Sequence, residues 1–221
     1  MKWFQRYWYD LGLGALVVVA LVMVLTWRRS STLEKLALAN LGAILWHQFE
    51  EYHFPGGEPA IMNLAMNYQE GGQHDRAPLN QKNAMVINVG GDLFYLLPCL
   101  FPRVGWLAFA PVAFGLAQVI GHVVVTPKLV GNHFYTPGAL ATVCGHLPIG
   151  IAWFTVTIKD GLLDWGNALG GLVYLVCFIG LFMRKFGYEH LASTADQDAF
   201  GEDEFERGGY AARIRLLKQE N

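Results

Sequence analysis

Four ionisable residues interrupt an apolar run at WHQFEEYHFPGG, residues 46–57: His47, Glu50, Glu51 and His53. Groups of this kind are costly to bury unless they are paired or bound to a metal. At about 100° per helical residue, Asn40 falls about 20° from His47, Glu51 about 40°, and Glu50 about 60° to the other side. These four share one face, whereas His53 points about 120° away. Imidazole with carboxylate is the ligand set of zinc and non-haem iron, and such a site needs no thiolate. The H-x-x-E-E spacing therefore offers a His ligand at His47 and a carboxylate ligand at Glu51. The spare carboxylate, Glu50, would be a general acid or base on a metal-held water.

Three more apolar segments carry polar residues at helical spacing. Asn88, Asp92 and Tyr95 recur at i, i+4 and i+7; Gln118 and His122 at i, i+4; Thr142 and His146 likewise. Four such stripes turned toward one interior would gather His122, His133 and His146 as further metal ligands around His47 and Glu51. Asp92 would then orient a ligating imidazole as its hydrogen-bond partner. A second reading stands beside this one. Single histidines on apolar helices also serve as hydrogen-bonded packing groups, Asp92 and Asn88 can bridge helices, and Glu50-Glu51 can emerge into water where Pro55-Gly56-Gly57 ends the helix.

The elements that would hold these residues are helices. Leu11 to Trp27, Val104 to Pro127 and Trp165 to Met183 contain no Asp, Glu, Lys or Arg. About 20 such residues cross a hydrocarbon core of about 30 Å. Six spans fit the pattern, over about 8–27, 33–54, 83–101, 105–125, 137–158 and 163–185, with Thr32 as N-cap of the second. The fold class is all-α: a polytopic transmembrane helical bundle of about six spans. Spans one and six lack a polar stripe and belong on the outside. Pro127 and Pro137-Gly138 are expected to keep the segment between spans four and five from being continuous helix. Within the polar loop 55–82, AIMNLAMNY suits a short helix at the membrane interface. Residues 1–186 form the membrane domain. Residues 187–221, richer in acid than in base, form a solvated, partly disordered tail with a short helix near Ala211 to Gln219.

Composition agrees: 53% of residues are hydrophobic and 15% charged, against about 25% charged in soluble domains. A net charge of −2 without a basic stripe excludes nucleic acid as a partner. The partner is a lipid bilayer. Cys99, Cys144 and Cys177 lie in apolar runs and read as small packing groups. With both termini cytoplasmic, Lys2, Arg6, Arg76, Lys82, Lys128, Arg184 and Lys185 lie inside, and Arg28, Arg29, Lys35, Arg103 and Lys159 outside.

His47-Gln48-Phe49-Glu50-Glu51, followed by Phe54-Pro55-Gly56-Gly57, resembles the HXXEE-domain family, a membrane-associated domain of uncharacterised function. Tyr135-Thr136-Pro137-Gly138 resembles that family's later Y-x-P-G-x-x-T element. The family's threonine position falls on Ala141, with Thr142 one residue late, and Asn132-His133 reverses its His-Asn order. The resemblance spans about residues 37–150.

Three function classes remain open on the residues. The first is a metal-dependent enzyme, hydrolase or oxidoreductase, that acts on a lipid-like or apolar substrate through the interior His/Glu cluster with zinc or iron. The second is a proton- or cation-coupled transporter, with Glu50, Glu51, Asp92 and His122 along the path. The third is a structural or partner-binding membrane protein whose polar stripes only join helices.

Overall fold

The computed structural model describes residues 2–68, 70–132 and 134–219. Among these residues six long helices make the bundle: Lys2–Thr26, Thr32–Tyr52, Gln81–Leu100, Gly105–Val130, Ala139–Lys159 and Trp165–His190. Five of them are long and apolar enough to cross a membrane. The exception, Thr32–Tyr52, has 21 residues, about 31 Å of helix, and is less apolar because it carries the polar face. It packs against the first, third, fourth and fifth helices, and twelve of its 21 residues are buried. The first and sixth helices are peripheral: 6% and 11% of their most apolar windows are buried, against 33–39% for the third to fifth. Placing the helices without stripes on the outside is thus what the bundle does.

Local chemistry sets the helix ends. Ser31, one residue before the expected cap, accepts from the Glu34 N–H while the Glu34 carboxylate accepts from the Ser31 N–H. Asn80 and Asn83 make the same reciprocal pair at the start of the third helix, and a cap of this kind contributes about 1 kcal/mol. Pro127 does not stop the fourth helix, contrary to expectation. The turn before it, Gly121–Val125, is a π-helix in which the Thr126 N–H donates to Gly121 O. A widened turn skips one backbone bond, so proline's missing N–H costs little there. The helix ends instead at Gly131, whose φ of 61° lies in the left-handed region.

All loops near the polar face lie at one end of the bundle. The chain leaves the second helix, turns at Gly56 and Gly57, and re-enters as a short helix over Glu58–Ala60 and Ile61–Met66. Ile61 and Leu64 are buried in a cluster with Tyr9, Tyr52 and Leu79, so this helix enters the packed interior.

The tail joins the same cluster. Phe200, Phe205, Tyr210, Ala211 and Ile214 are buried, and the terminal helix covers Tyr210–Gln219. Acidic composition disfavours a core, but five apolar side chains set against a preformed cleft are enough to dock it. Polar bonds add to them: Arg6 pairs with Asp203 at 2.7 Å, Gln81 donates to Glu204 at 2.5 Å, and Asn80 donates to Leu191 O at 3.3 Å. Arg213 donates to Val130 O at 2.7 Å and also to Gly131 O. The Arg6–Asp203 pair brings the start of the first helix beside the tail. The three cysteines are free; Cys144 and Cys177 are exposed on the bundle's outer surface and only Cys99 is partly packed, so two of the three are not the buried groups expected.

Candidate metal centre

His47 lies five residues before the end of the second helix, and Glu51 one turn further. The i, i+4 spacing puts Glu51 Oε1 3.1 Å from His47 Nε2. His122 reaches the same oxygen from the fourth helix, with Nε2 at 3.3 Å. The two imidazoles meet edge to face, centroids 4.6 Å apart and planes at 86°. His47, Glu51 and His122 are all buried, and their three ligand atoms lie within 4.8 Å of one another, a group that can hold a metal ion. Ligands bound at about 2.0–2.1 Å in tetrahedral geometry stand about 3.3 Å apart, close to the 3.1 and 3.3 Å observed here.

The segment Tyr135-Thr136-Pro137-Gly138 orients both rings. Gly138 O lies 3.2 Å from His47 Nδ1, and Pro137 O lies 2.6 Å from His122 Nδ1. A carbonyl needs a donor, so each Nδ1 carries a proton, and in a neutral ring Nε2 presents a lone pair. Two such lone pairs beside one carboxylate oxygen repel unless a cation sits among them or a ring is protonated and donates to Glu51. The Gln118 amide also reaches His47 Nε2, at 3.5 Å. Gly138 is required for the approach: its φ is 82°, and a Cβ there would lie 2.6 Å from His47 Cε1 and 3.0 Å from His122 Cε1. Thr136 Oγ1 donates to His122 O at 2.5 Å, which secures the loop to the helix it serves.

Glu50, one residue from Glu51, faces another way because adjacent helical positions diverge by about 100°. Its Oε1 accepts from Tyr135 OH at 2.9 Å and its Oε2 from the Ala141 N–H at 2.8 Å. Burial, reinforced by the Glu50 charge, raises the Tyr135 hydroxyl above the usual range, so it stays protonated and donates. Glu50 therefore ties the Tyr-Thr-Pro-Gly segment to the second helix and does not join the group of three. His146, in the π-turn Thr142–His146, bonds Asn40 Oδ1 through Nδ1 at 3.0 Å, and its ring is 5.8 Å from that of His47. It stands behind the group with Nε2 buried and without a hydrogen bond. Asp92 approaches Gln48 rather than an imidazole, and its Oδ1 is buried without a bond. His133 lies outside the described residues. His53 stands apart, as its helical angle requires, paired with Asp10 at 2.5 Å.

The group opens on a cavity of about 250 Å³. His47, Glu51, Gln118 and His122 form one wall; Ile44, Phe114, Phe178 and Met183 make an apolar one. Among the described residues, no Lys or Arg lines it. Glu58 lines it too, and sequence reasoning passed over this residue because it sits in a loop after a helix stop. Burial, then the Glu51 charge, holds its carboxyl well above the usual carboxylate range. The signal available was local: an acidic residue directly after Pro-Gly-Gly, where the chain can reverse onto the helix it has just left.

Residues 38–154 match the family described as "Protein of unknown function with HXXEE motif". The match covers more than half of the 221 residues and contains His47, Glu50, Glu51, His122 and the Tyr-Thr-Pro-Gly segment, so the chain belongs to this family. No curated protein and no solved structure matches it.

Proposed function

We propose that this member of the HXXEE family is a metal-dependent membrane enzyme, with His47, Glu51 and His122 holding one divalent zinc or iron ion. The single observation that carries the reading is the convergence of two carbonyl-oriented Nε2 atoms on one Glu51 oxygen. Two histidines and a carboxylate with an open fourth side suit either metal. A cation there supplies Lewis acidity and activates a water. The chain's own residues fix the two rings, exclude bulk water and offer an apolar cavity about 250 Å³ in volume.

The cavity also speaks to the substrate. Beside the polar His47, Glu51, Glu58 and His122 it is lined by aliphatic, aromatic and methionine side chains, with no Lys or Arg among the described residues, so it favours a neutral, lipid-like molecule over one whose phosphate or carboxylate must be buried. Both termini are assigned to the cytoplasmic side, where Lys2, Arg6, Arg76, Lys82, Lys128, Arg184 and Lys185 would gather.

Elemental analysis of the detergent-purified protein tests the metal, native beside His47→Ala and Glu51→Ala. About one zinc or iron per chain in the native protein, lost in both variants, is the expected result. A folded native protein without metal sinks the reading. That outcome would turn attention to cation or proton coupling, which two buried, unbonded carboxylate oxygens, Asp92 Oδ1 and Glu58 Oε2, independently favour. Proteoliposomes would then show pH-gradient-driven flux that is lost in Asp92→Asn.

A further inference from the structure

Glu58 belongs to no motif of the second helix, yet the chain is folded to deliver it to the same cavity as His47, Glu51 and His122. Gly56 and Gly57, with φ of 76° and 115°, reverse the chain after the helix ends. The Gly56 N–H donates to Glu50 O at 2.9 Å and the Ile61 N–H to Gly57 O at 3.0 Å, which clamps the reversal on both sides. A Cβ on Gly57 would meet the Tyr210 ring at 2.5 Å, so only glycine fits. The result is a carboxylate 8% exposed, with Oε2 buried and no hydrogen bond on it.

The other acids near the group are engaged or turned away. Glu51 faces the two imidazoles, Glu50 is held by Tyr135 and Ala141, and Asp92 lies beside Gln48. Among the described residues lining the cavity, Glu58 is the carboxylate with an unused oxygen outside the ligand group. A buried acceptor of this kind is expensive unless something donates to it.

We infer that Glu58 is the catalytic hydrogen-bond and proton acceptor opposite the metal position, facing the group held by His47, Glu51 and His122. The inference rests on the metal-centre reading above. Burial and the Glu51 charge favour the neutral form of the Glu58 carboxyl, and a cation held by His47, Glu51 and His122 would favour its ionised form. A water or hydroxyl compound at the open fourth side would then donate its O–H to Glu58. In the transfer the proton passes to the carboxylate oxygen, the electron pair of the O–H bond stays on the bound oxygen, and Glu58 becomes a neutral acid. A cation held by His47, Glu51 and His122 would supply Lewis acidity, and Glu58 would take the proton.

The test uses the full chain in detergent loaded with cobalt(II) alone, with acetohydroxamic acid as probe and azide as control. Acetohydroxamic acid brings an O–H that needs an acceptor, whereas azide brings none. The Glu58→Gln variant is expected to take up cobalt at the native stoichiometry. Its visible spectrum should report acetohydroxamic acid binding weakened about tenfold or more, from loss of a hydrogen bond to a charged acceptor, with azide bound at least as well as in the native protein. Glu58→Asp should recover part of the loss. Equal hydroxamate affinity in Glu58→Gln overturns the proposal, as does loss of cobalt, which would make Glu58 a ligand. A native protein that takes up no cobalt fails one step earlier and removes the metal centre itself.

Discussion

His122 Nε2 and His47 Nε2 stand 3.3 and 3.1 Å from the same Glu51 oxygen, although 75 residues separate the two histidines. Each ring is turned to that oxygen by a backbone carbonyl at the start of the fifth helix. A hinge between helices thus sets the geometry of a site built on helices.

The contrast between two histidines follows directly. His122→Asn should lose the metal, whereas His146→Asn should keep it, because His146 bonds Asn40 and stands outside the group of three. The second variant should cost stability instead, about 1–3 kcal/mol, as Asn40 loses a buried partner. Elemental analysis and thermal unfolding in detergent, run on both proteins, separate the two effects; equal metal loss would place His146 among the ligands.

Gly138 offers a sharper probe. Gly138→Ala forces a left-handed φ on alanine and sets a methyl against both rings, at 2.6 and 3.0 Å. Metal content should drop and stability should fall by about 1–3 kcal/mol. Gly14→Ala is the matched control, since nothing lies within 4 Å of its added carbon. Similar losses in both would point to a general intolerance of the bundle.

Tyr135 acts through the loop and not on the ligands. Tyr135→Phe removes the hydroxyl that donates to Glu50 Oε1 at 2.9 Å and leaves that oxygen without its side-chain donor. Metal affinity, read by competition with a coloured chelator, should weaken about tenfold without being abolished, as outer-shell losses usually do. Glu50→Gln should behave similarly, and neither should change the stoichiometry at saturating metal.

The docked tail has a pH signature. Arg76 bonds Asp75 and Asp196, and the hydrogen bond to Arg76 holds the Asp75 carboxyl below its ordinary range. A depressed carboxyl contributes stability that is complete above its unfolded value of about 3.9 and is lost as pH falls through the folded value. Limited proteolysis of the loop around Asp75 and Arg76, on which the tail's Asp196 rests, should therefore accelerate in acid below about pH 4. Arg76→Ala should cleave faster already at pH 7 and lose most of that dependence. Because the groups are exposed, the effect should be small.

The H-x-x-E-E face, the six helices and the two motif segments could be read along the chain, because each is written in period and in stop signals. Apolar runs of about 20 residues without charge are long enough to be spans, and a 100° step places His47 and Glu51 together whatever surrounds them. Pairing across the bundle has no such local record. That His122 and not His146 meets Glu51 depends on two π-turns and on which carbonyl each Nδ1 finds. Adjacent Glu50 and Glu51 look equivalent until Tyr135 and Ala141 engage one of them. Glu58 enters the cavity through a reversal at two glycines closed by Tyr210, more than 150 residues away. Periodicity is a property of neighbouring residues, whereas a site is a property of helices that meet, and only their packing selects which atoms converge.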